Sequence, residues 1–174
     1  MGTMNGLKRR TVLMGLGLAG LGIAIAGSGL ATAQAVPDAV SKTFKSKFPH
    51  AKITHQDSAV EEGVTVYAFE FIDGQTEKSA DIAADGTMLE IATAIPAKEL
   101  PEAAMKAVLK EAAGATIVFV DKVEITHETR KGYVYKLPTT VTQYEVQVQK
   151  NGAKGEVVVG PDGSVIDAVK WDKP

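Results

Sequence analysis

The chain repeats itself, and in the same order. Val36-Pro37-Asp38-Ala39-Val40 matches Leu100-Pro101-Glu102-Ala103-Ala104, and Ala51-Lys52-Ile53 matches Ala115-Thr116-Ile117 at the same offset. Further along, Tyr67-Ala68-Phe69-Glu70-Phe71 matches Tyr144-Glu145-Val146-Gln147-Val148, Asp73-Gly74 matches Asn151-Gly152, and Asp85-Gly86-Thr87-Met88-Leu89 matches Asp162-Gly163-Ser164-Val165-Ile166. The second copy carries one longer insertion, near residues 128–141. A repeat of this length limits the chain to two copies of one supersecondary pattern.

Each copy reads as a helix followed by strands. Val40, Phe44 and Phe48 recur every four residues, which places them on one helical face. Pro37 suits the first turn of that helix and Pro49 ends it. In the second copy Leu100, Ala104, Val108 and Ala112 share a face with Met105 and Leu109. Pro101 opens that helix and Gly114 can close it in the left-handed conformation. Tyr67, Phe69 and Phe71 alternate with Ala68 and Glu70, and Tyr144, Val146 and Val148 with Glu145, Gln147 and Gln149. That period of two, with one polar face, predicts antiparallel sheet covered on one side. Ile117, Phe119, Val123 and Ile125 predict a further strand, and Val165, Val169 and Trp171 a last one. Asp73-Gly74, Asp85-Gly86, Asn151-Gly152 and Asp162-Gly163 are hairpin signals in which both residues accept positive φ. The expected fold is therefore α+β: two tandem units, residues 36–95 and 96–174, each a helix packed on one face of its own small antiparallel β-sheet.

The segment before the repeat is of another kind. Lys8, Arg9 and Arg10 precede a stretch from Thr11 to Ala35 without a charged side chain. It ends in Ala31-Thr32-Ala33-Gln34-Ala35, which offers two small-x-small cleavage positions. A basic start, an apolar middle and a small-residue end make residues 1–35 an expected, cleaved signal peptide. Arg9-Arg10 fits both a twin-arginine signal and an ordinary secretory one. The expected location is periplasmic or secreted, with membrane contact only through an uncleaved signal. Of 19 basic and 21 acidic residues, three basic ones lie in that segment, so 16 against 21 remain, a net charge of −5. An acidic surface of this size repels phosphate backbones, which speaks against nucleic acid as a partner. Cysteine is absent, so thiol catalysis, disulfides and thiolate metal sites are excluded.

The Val-Pro-x-x-Val helix start, the Phe48-Pro49 helix end, the Ala51-x-Ile53 strand, the Tyr67-x-Phe69-x-Phe71 strand and the Asp85-Gly86-Thr87-x-Leu89 hairpin together resemble PepSY-like domains. The tandem form resembles the exported β-lactamase-inhibitor-like, PepSY-like proteins. The second copy departs from the pattern, with Ala113-Gly114 in place of Phe-Pro and the insertion at 128–141. The resemblance implies a non-catalytic binding domain with a protein-binding or inhibitory role, and it brings no catalytic residues with it.

The residues themselves offer little chemistry. His50, His55 and His127 are the three histidines, and their spacing fits solvated loop and strand-end positions better than a metal site. The Asp-Gly pairs lack the closely spaced oxygen ligands of a calcium loop. Ser164 stands in no Gly-x-Ser-x-Gly elbow and corresponds to Thr87, a turn position. The insertion is different. Arg130, Lys131, Tyr133, Tyr135 and Lys136 form an expected partner-binding set, because Tyr and Arg are favoured at interface centres and loops on rigid scaffolds carry recognition. A strand pair at a sheet edge, with lysines blocking aggregation, is the other reading of the same residues. The polar strand face of Glu145, Gln147 and Gln149 is a second candidate surface. The expected function is thus an exported, non-catalytic module binding another exported protein, a protease or other enzyme among the candidates, with no cofactor. A periplasmic small-ligand or metal-binding protein is the alternative, and a hydrolase with a dispersed site is a third.

Overall fold

The computed structural model describes residues 35–172; the expected signal peptide lies outside the described residues but for Ala35. Helix α1 spans Asp38–Lys47 and α2 spans Glu102–Glu111. Their buried residues, Val40 and Phe44 in α1 and Ala104 and Val108 in α2, belong to the predicted faces. Phe48 at the end of α1 and Ala112 at the end of α2 are buried as well. Gly114 follows α2 with φ +78°, and Lys150 Nζ donates to the Ala113 carbonyl at 2.6 Å. Ala113 lies just past the helix, so the lysine satisfies a carbonyl of the turn that ends it.

The described residues also form eight strands: β1 (Lys52–Glu61), β2 (Val64–Asp73), β3 (Thr76–Ala83), β4 (Met88–Ala94), β5 (Thr116–Arg130), β6 (Tyr133–Lys150), β7 (Ala153–Val159) and β8 (Val165–Trp171). They form one sheet in sequence order, antiparallel throughout. This corrects the expected fold class. The chain is a mostly-β protein built on one eight-stranded sheet, not two helix-plus-sheet units with a small sheet each. The junction is the β4–β5 ladder, from Glu90 opposite Ile125 to Ala94 opposite Asp121. Two separate sheets would leave four edges of unpaired backbone, and merging them leaves two. The merger also buries Ala92, Val123 and Ile125 at the seam.

Both helices pack on the same kind of surface. Val40, Phe44 and Phe48 meet Tyr67, Phe69, Phe71, Ala80 and Ile82 in one apolar cluster. Leu100, Ala104, Val108 and Ala112 meet Val120, Val146, Val148, Val157 and Val159 in another. The opposite face of the sheet is also partly apolar, which the expectation of a one-sided cover did not include. Val66, Ala83 and Leu89 form a third cluster there, with Val134 packed against it, and Leu137 covers the seam cluster. Among the described residues no helix is long and apolar enough to cross a membrane.

The turns follow a simpler rule than the one expected. Asn151 and Gly152 both have positive φ, as do Glu62-Gly63 and Lys131-Gly132, two hairpins with no Asn-Gly or Asp-Gly signal. At Gly74, Gly86 and Gly163 only the glycine is positive, and the aspartate before it is not. In the last two cases the aspartate instead accepts a backbone hydrogen bond two residues on. Thr87 N–H donates to Asp85 Oδ1 at 2.8 Å, and Ser164 N–H to Asp162 Oδ1 at 3.0 Å. Asp is selected there for its side-chain acceptor as much as for its backbone.

Candidate functional site

The insertion at 128–141 is the outer part of the longest hairpin, β5–β6. Its register is regular from Thr116 to Ile125 apart from one shift, then breaks again. Ile125 faces Val141, but His127 faces Lys136, so β6 carries extra residues between Lys136 and Val141 at this point. An excess on one strand bends the ladder. Beyond the break, His127 to Arg130 pair with Lys136 to Tyr133, and Lys131-Gly132 make the turn.

Three sets of contacts fix the bent segment. Gly132 N–H donates to the Glu62 carbonyl at 2.6 Å, tying the hairpin tip to the β1–β2 turn. The two turns approach so closely that a Cβ on Gly63 would lie 3.2 Å from Gly132 Cα. Val134 and Leu137 face inward onto the apolar clusters of the helix-free side. Thr126 and His127 hold the base of the bend, just where β5 leaves β4. The Thr126 hydroxyl lies 3.0 and 3.1 Å from the carbonyl oxygens of Met88 and Leu89, and His127 Nδ1–H donates to the Met88 carbonyl at 2.9 Å. Side chains thus take over carbonyls that the ladder no longer pairs. That contact gives His127 a structural role, on a different strand from exposed His55 and away from the His50 turn. Among the described residues no group of three or more His, Asp and Glu side chains is gathered to hold a metal ion.

With Val134 inward, strand alternation turns Tyr133 and Tyr135 outward. They are 68% and 39% exposed. Their rings stand edge to face with centroids 6.4 Å apart, and Arg130 Cζ lies 4.8 Å from the Tyr135 centroid. Arg130, Lys131 and Lys136 are exposed around them. All five residues expected in a partner-binding set therefore lie on one hairpin tip, and its aromatic rings and guanidinium touch one another. At the tip β5 and β6 pair only with each other, because β4 accompanies β5 from Asp121 to Ile125 and β7 accompanies β6 from Tyr144 to Lys150, so Lys131 and Lys136 also suit the guarding of a strand edge. Sequence reasoning did not identify Thr126, His127 and Glu62, which hold the tip in place. A Thr-His pair at a register break carries no recognisable pattern, and Glu62 acts through its carbonyl.

The second candidate surface is more dispersed. Glu145 and Gln147 alternate with helix-facing Tyr144, Val146 and Val148, which puts them on the opposite face, and Gln149 is exposed at the strand end. Across the ladders Asp121 is directly opposite Glu145, and Asp81 directly opposite Glu90. This side of the sheet is therefore acidic.

Ser164 is held in its turn. Its hydroxyl donates to Asp162 Oδ1 at 2.6 Å, alongside its own N–H at 3.0 Å. The hydroxyl bond first, and the N–H bond second, hold the Asp162 carboxyl below the usual carboxylate range. A depressed folded value stabilises the fold above the unfolded value, and that contribution fades as pH falls through the folded one. Replacing Ser164 with Ala is expected to raise the Asp162 carboxyl toward its ordinary value in an NMR pH titration. An unchanged value would mean that the hydroxyl is not its main partner.

No protein-family model matches the chain, and no curated protein matches it. Several solved structures do. A Bacteroides eggerthii protein described as periplasmic superposes with a TM-score of 0.59 at 18% identity, over 79% of this chain and 89% of that one. A DUF2874 family protein from Bacteroides uniformis gives 0.57 at 17% identity, over 78% and 88%. A BLIP-like protein from Bacteroides fragilis gives 0.51 at 20% identity, over 78% and 86%. The likeness is one of fold, and it extends over nearly all the described residues.

Proposed function

We infer that the protein is an exported, non-catalytic binding module that engages another exported protein through the tip of the β5–β6 hairpin. Tyr133, Tyr135 and Arg130 form the centre of that surface, and Lys131 and Lys136 its rim. The observation that carries this reading is the pair of exposed tyrosines on a tip fixed at both ends. Adjacent aromatic rings gathered on one exposed tip make a contiguous apolar patch, which is a mark of interaction sites. A tip already held by Gly132, Val134, Leu137 and Thr126 loses little conformational entropy on binding. Tyr and Arg are also the residue types that dominate interface energetics.

Other observations lean the same way. The resemblance to PepSY-like domains implies a binding or inhibitory role, and a BLIP-like protein shares the fold. On this reading residues 1–35 are the export signal, residues 36–95 and 96–174 are duplicated halves of one sheet, and the partner is an enzyme whose activity the module restrains. Periplasmic or secreted placement follows from the signal, in keeping with the fold neighbour described as periplasmic.

The test is capture from the exported fraction with the tagged protein as bait. One partner recovered in good yield is expected, and it should be lost with Y133A/Y135A at an unchanged melting temperature. Both side chains are at the surface, so their removal should change stability by no more than about 0.5 kcal/mol. Equal recovery by wild type and double variant would remove the hairpin tip from the interface.

A further inference from the structure

Among the described residues β1 pairs with β2 alone, so its other backbone edge lies outside every ladder. The strand is exposed over most of its length, with Ile53 at 45% and Val60 at 71%. Ser58 N–H donates to Asp57 Oδ1 at 2.7 Å, which places that amide on the free edge. By alternation Gln56 and Val60 present their backbone groups there too. A register shift between Ile53 and His55 has a further effect. Ile53, opposite Phe71, and Gln56, opposite Phe69, fall on the helix side with Ser58 and Val60. Lys52, His55, Asp57, Ala59 and Glu61 fall on the other side.

This edge is complementary to itself. We propose that β1 pairs antiparallel with β1 of a second copy, about a two-fold axis through Asp57. In that register Gln56 exchanges backbone hydrogen bonds with Ser58 of the other copy. Ile53 faces Val60 on the helix side, and Lys52 faces Glu61 on the opposite side. Each of these pairs occurs twice, as an isologous contact requires. The apolar pair covers Ile53 and Val60, the strand's exposed large aliphatic side chains, and the terminal charges attract. Without the bulge near Thr54, Ile53 and Val60 would point to opposite faces and could not meet. The one mismatch is Asp57 against itself. Like charges directly opposite are unfavourable, and the Asp57 carboxylate already occupies the Ser58 amide that the second copy would use. Asp57 therefore keeps the pairing weak and reversible, which guards an otherwise open edge.

Sedimentation velocity over a concentration series tests this. The protein should show a concentration-dependent dimer. Lys52→Glu should shift it to monomer, and the swapped pair K52E/E61K should restore the dimer, because the swap re-forms opposite charges only in this register. Asp57→Asn should tighten the dimer about tenfold, the equivalent of about 1.4 kcal/mol. Monomer at every concentration for both wild type and Asp57→Asn would overturn the proposal. So would a dimer indifferent to Lys52→Glu.

Discussion

Replacing Phe44 with alanine is expected to cost about 3–5 kcal/mol of unfolding free energy, measured by urea denaturation. Phe44 is 4% exposed and stands at the centre of an aromatic group. Its ring lies 4.6 Å from Phe69 in a stacked arrangement, 5.0 Å from Phe71 edge-on and 5.5 Å from Phe48. Aromatic pairs of this kind contribute beyond the area they bury. The vacancy could not collapse easily, because Phe69 and Phe71 are fixed by the β2 ladder and Phe48 already contacts Phe71 at 4.5 Å. The contrast is Leu109 on α2, which is 54% exposed; its replacement by alanine should cost about 0.5 kcal/mol or less. A Phe44→Ala loss near the Leu109→Ala value would mean that α1 is not a working part of the core.

The local elements of this fold are legible in the residues, and their joining is not. Val40, Phe44 and Phe48 mark the buried face of α1, and Pro37 and Pro49 bound it, since each acts within a turn or two of chain. The alternation through Tyr67, Phe69 and Phe71 likewise marks a strand and the side it buries. Nothing in that alternation says which strand lies alongside. The contact between β4 and β5 joins residues separated by a helix and two turns, and its apolar content is small: Ala92, Val123 and Ile125. A repeat encourages the picture of two closed units because each copy has a complete helix and its hairpins. Open sheet edges decide otherwise, and their cost is in the backbone, which has no sequence signal.

The candidate site divides in the same way. Tyr133, Tyr135 and Arg130 stand out as residue types in an insertion that breaks a repeat. What makes them a surface is where the hairpin bends. The bend depends on the extra residues in β6 and on the Met88 and Leu89 carbonyls, which Thr126 and His127 take up. The inward residues Val134 and Leu137 fall in a segment with no steady period, so neither a helix nor a strand pattern singles them out. The partners of Val134, which are Val66, Ala83 and Leu89, lie on what reads as the polar side of the sheet.

Gly163→Ala and Gly86→Ala should each cost about 2–5 kcal/mol, for two reasons that a third glycine separates. Gly163 and Gly86 have φ of +82° and +89°, where any other L-residue loses roughly 1–2 kcal/mol. Both also lie against a helix. A Cβ on Gly163 would stand 2.7 Å from the Ala103 carbonyl oxygen, and one on Gly86 would stand 2.9 Å from that of Ala39. These oxygens belong to the first turns of α2 and α1, so the added methyl must push the helix off its hairpin, an overpacking cost of about 1–3 kcal/mol. At Gly86 the Thr43 hydroxyl also donates to the glycine carbonyl at 2.7 Å, which leaves the turn less room to yield. Gly74 has φ +68°, and a Cβ there would meet nothing within 4 Å. Gly74→Ala therefore carries the backbone cost alone, about 1–2 kcal/mol. The excess at Gly163 and Gly86 over Gly74, read from denaturation midpoints, measures the helix-to-hairpin approach directly. Equal losses at all three would mean that the helices are free to shift on the sheet and that only the turn geometry selects glycine.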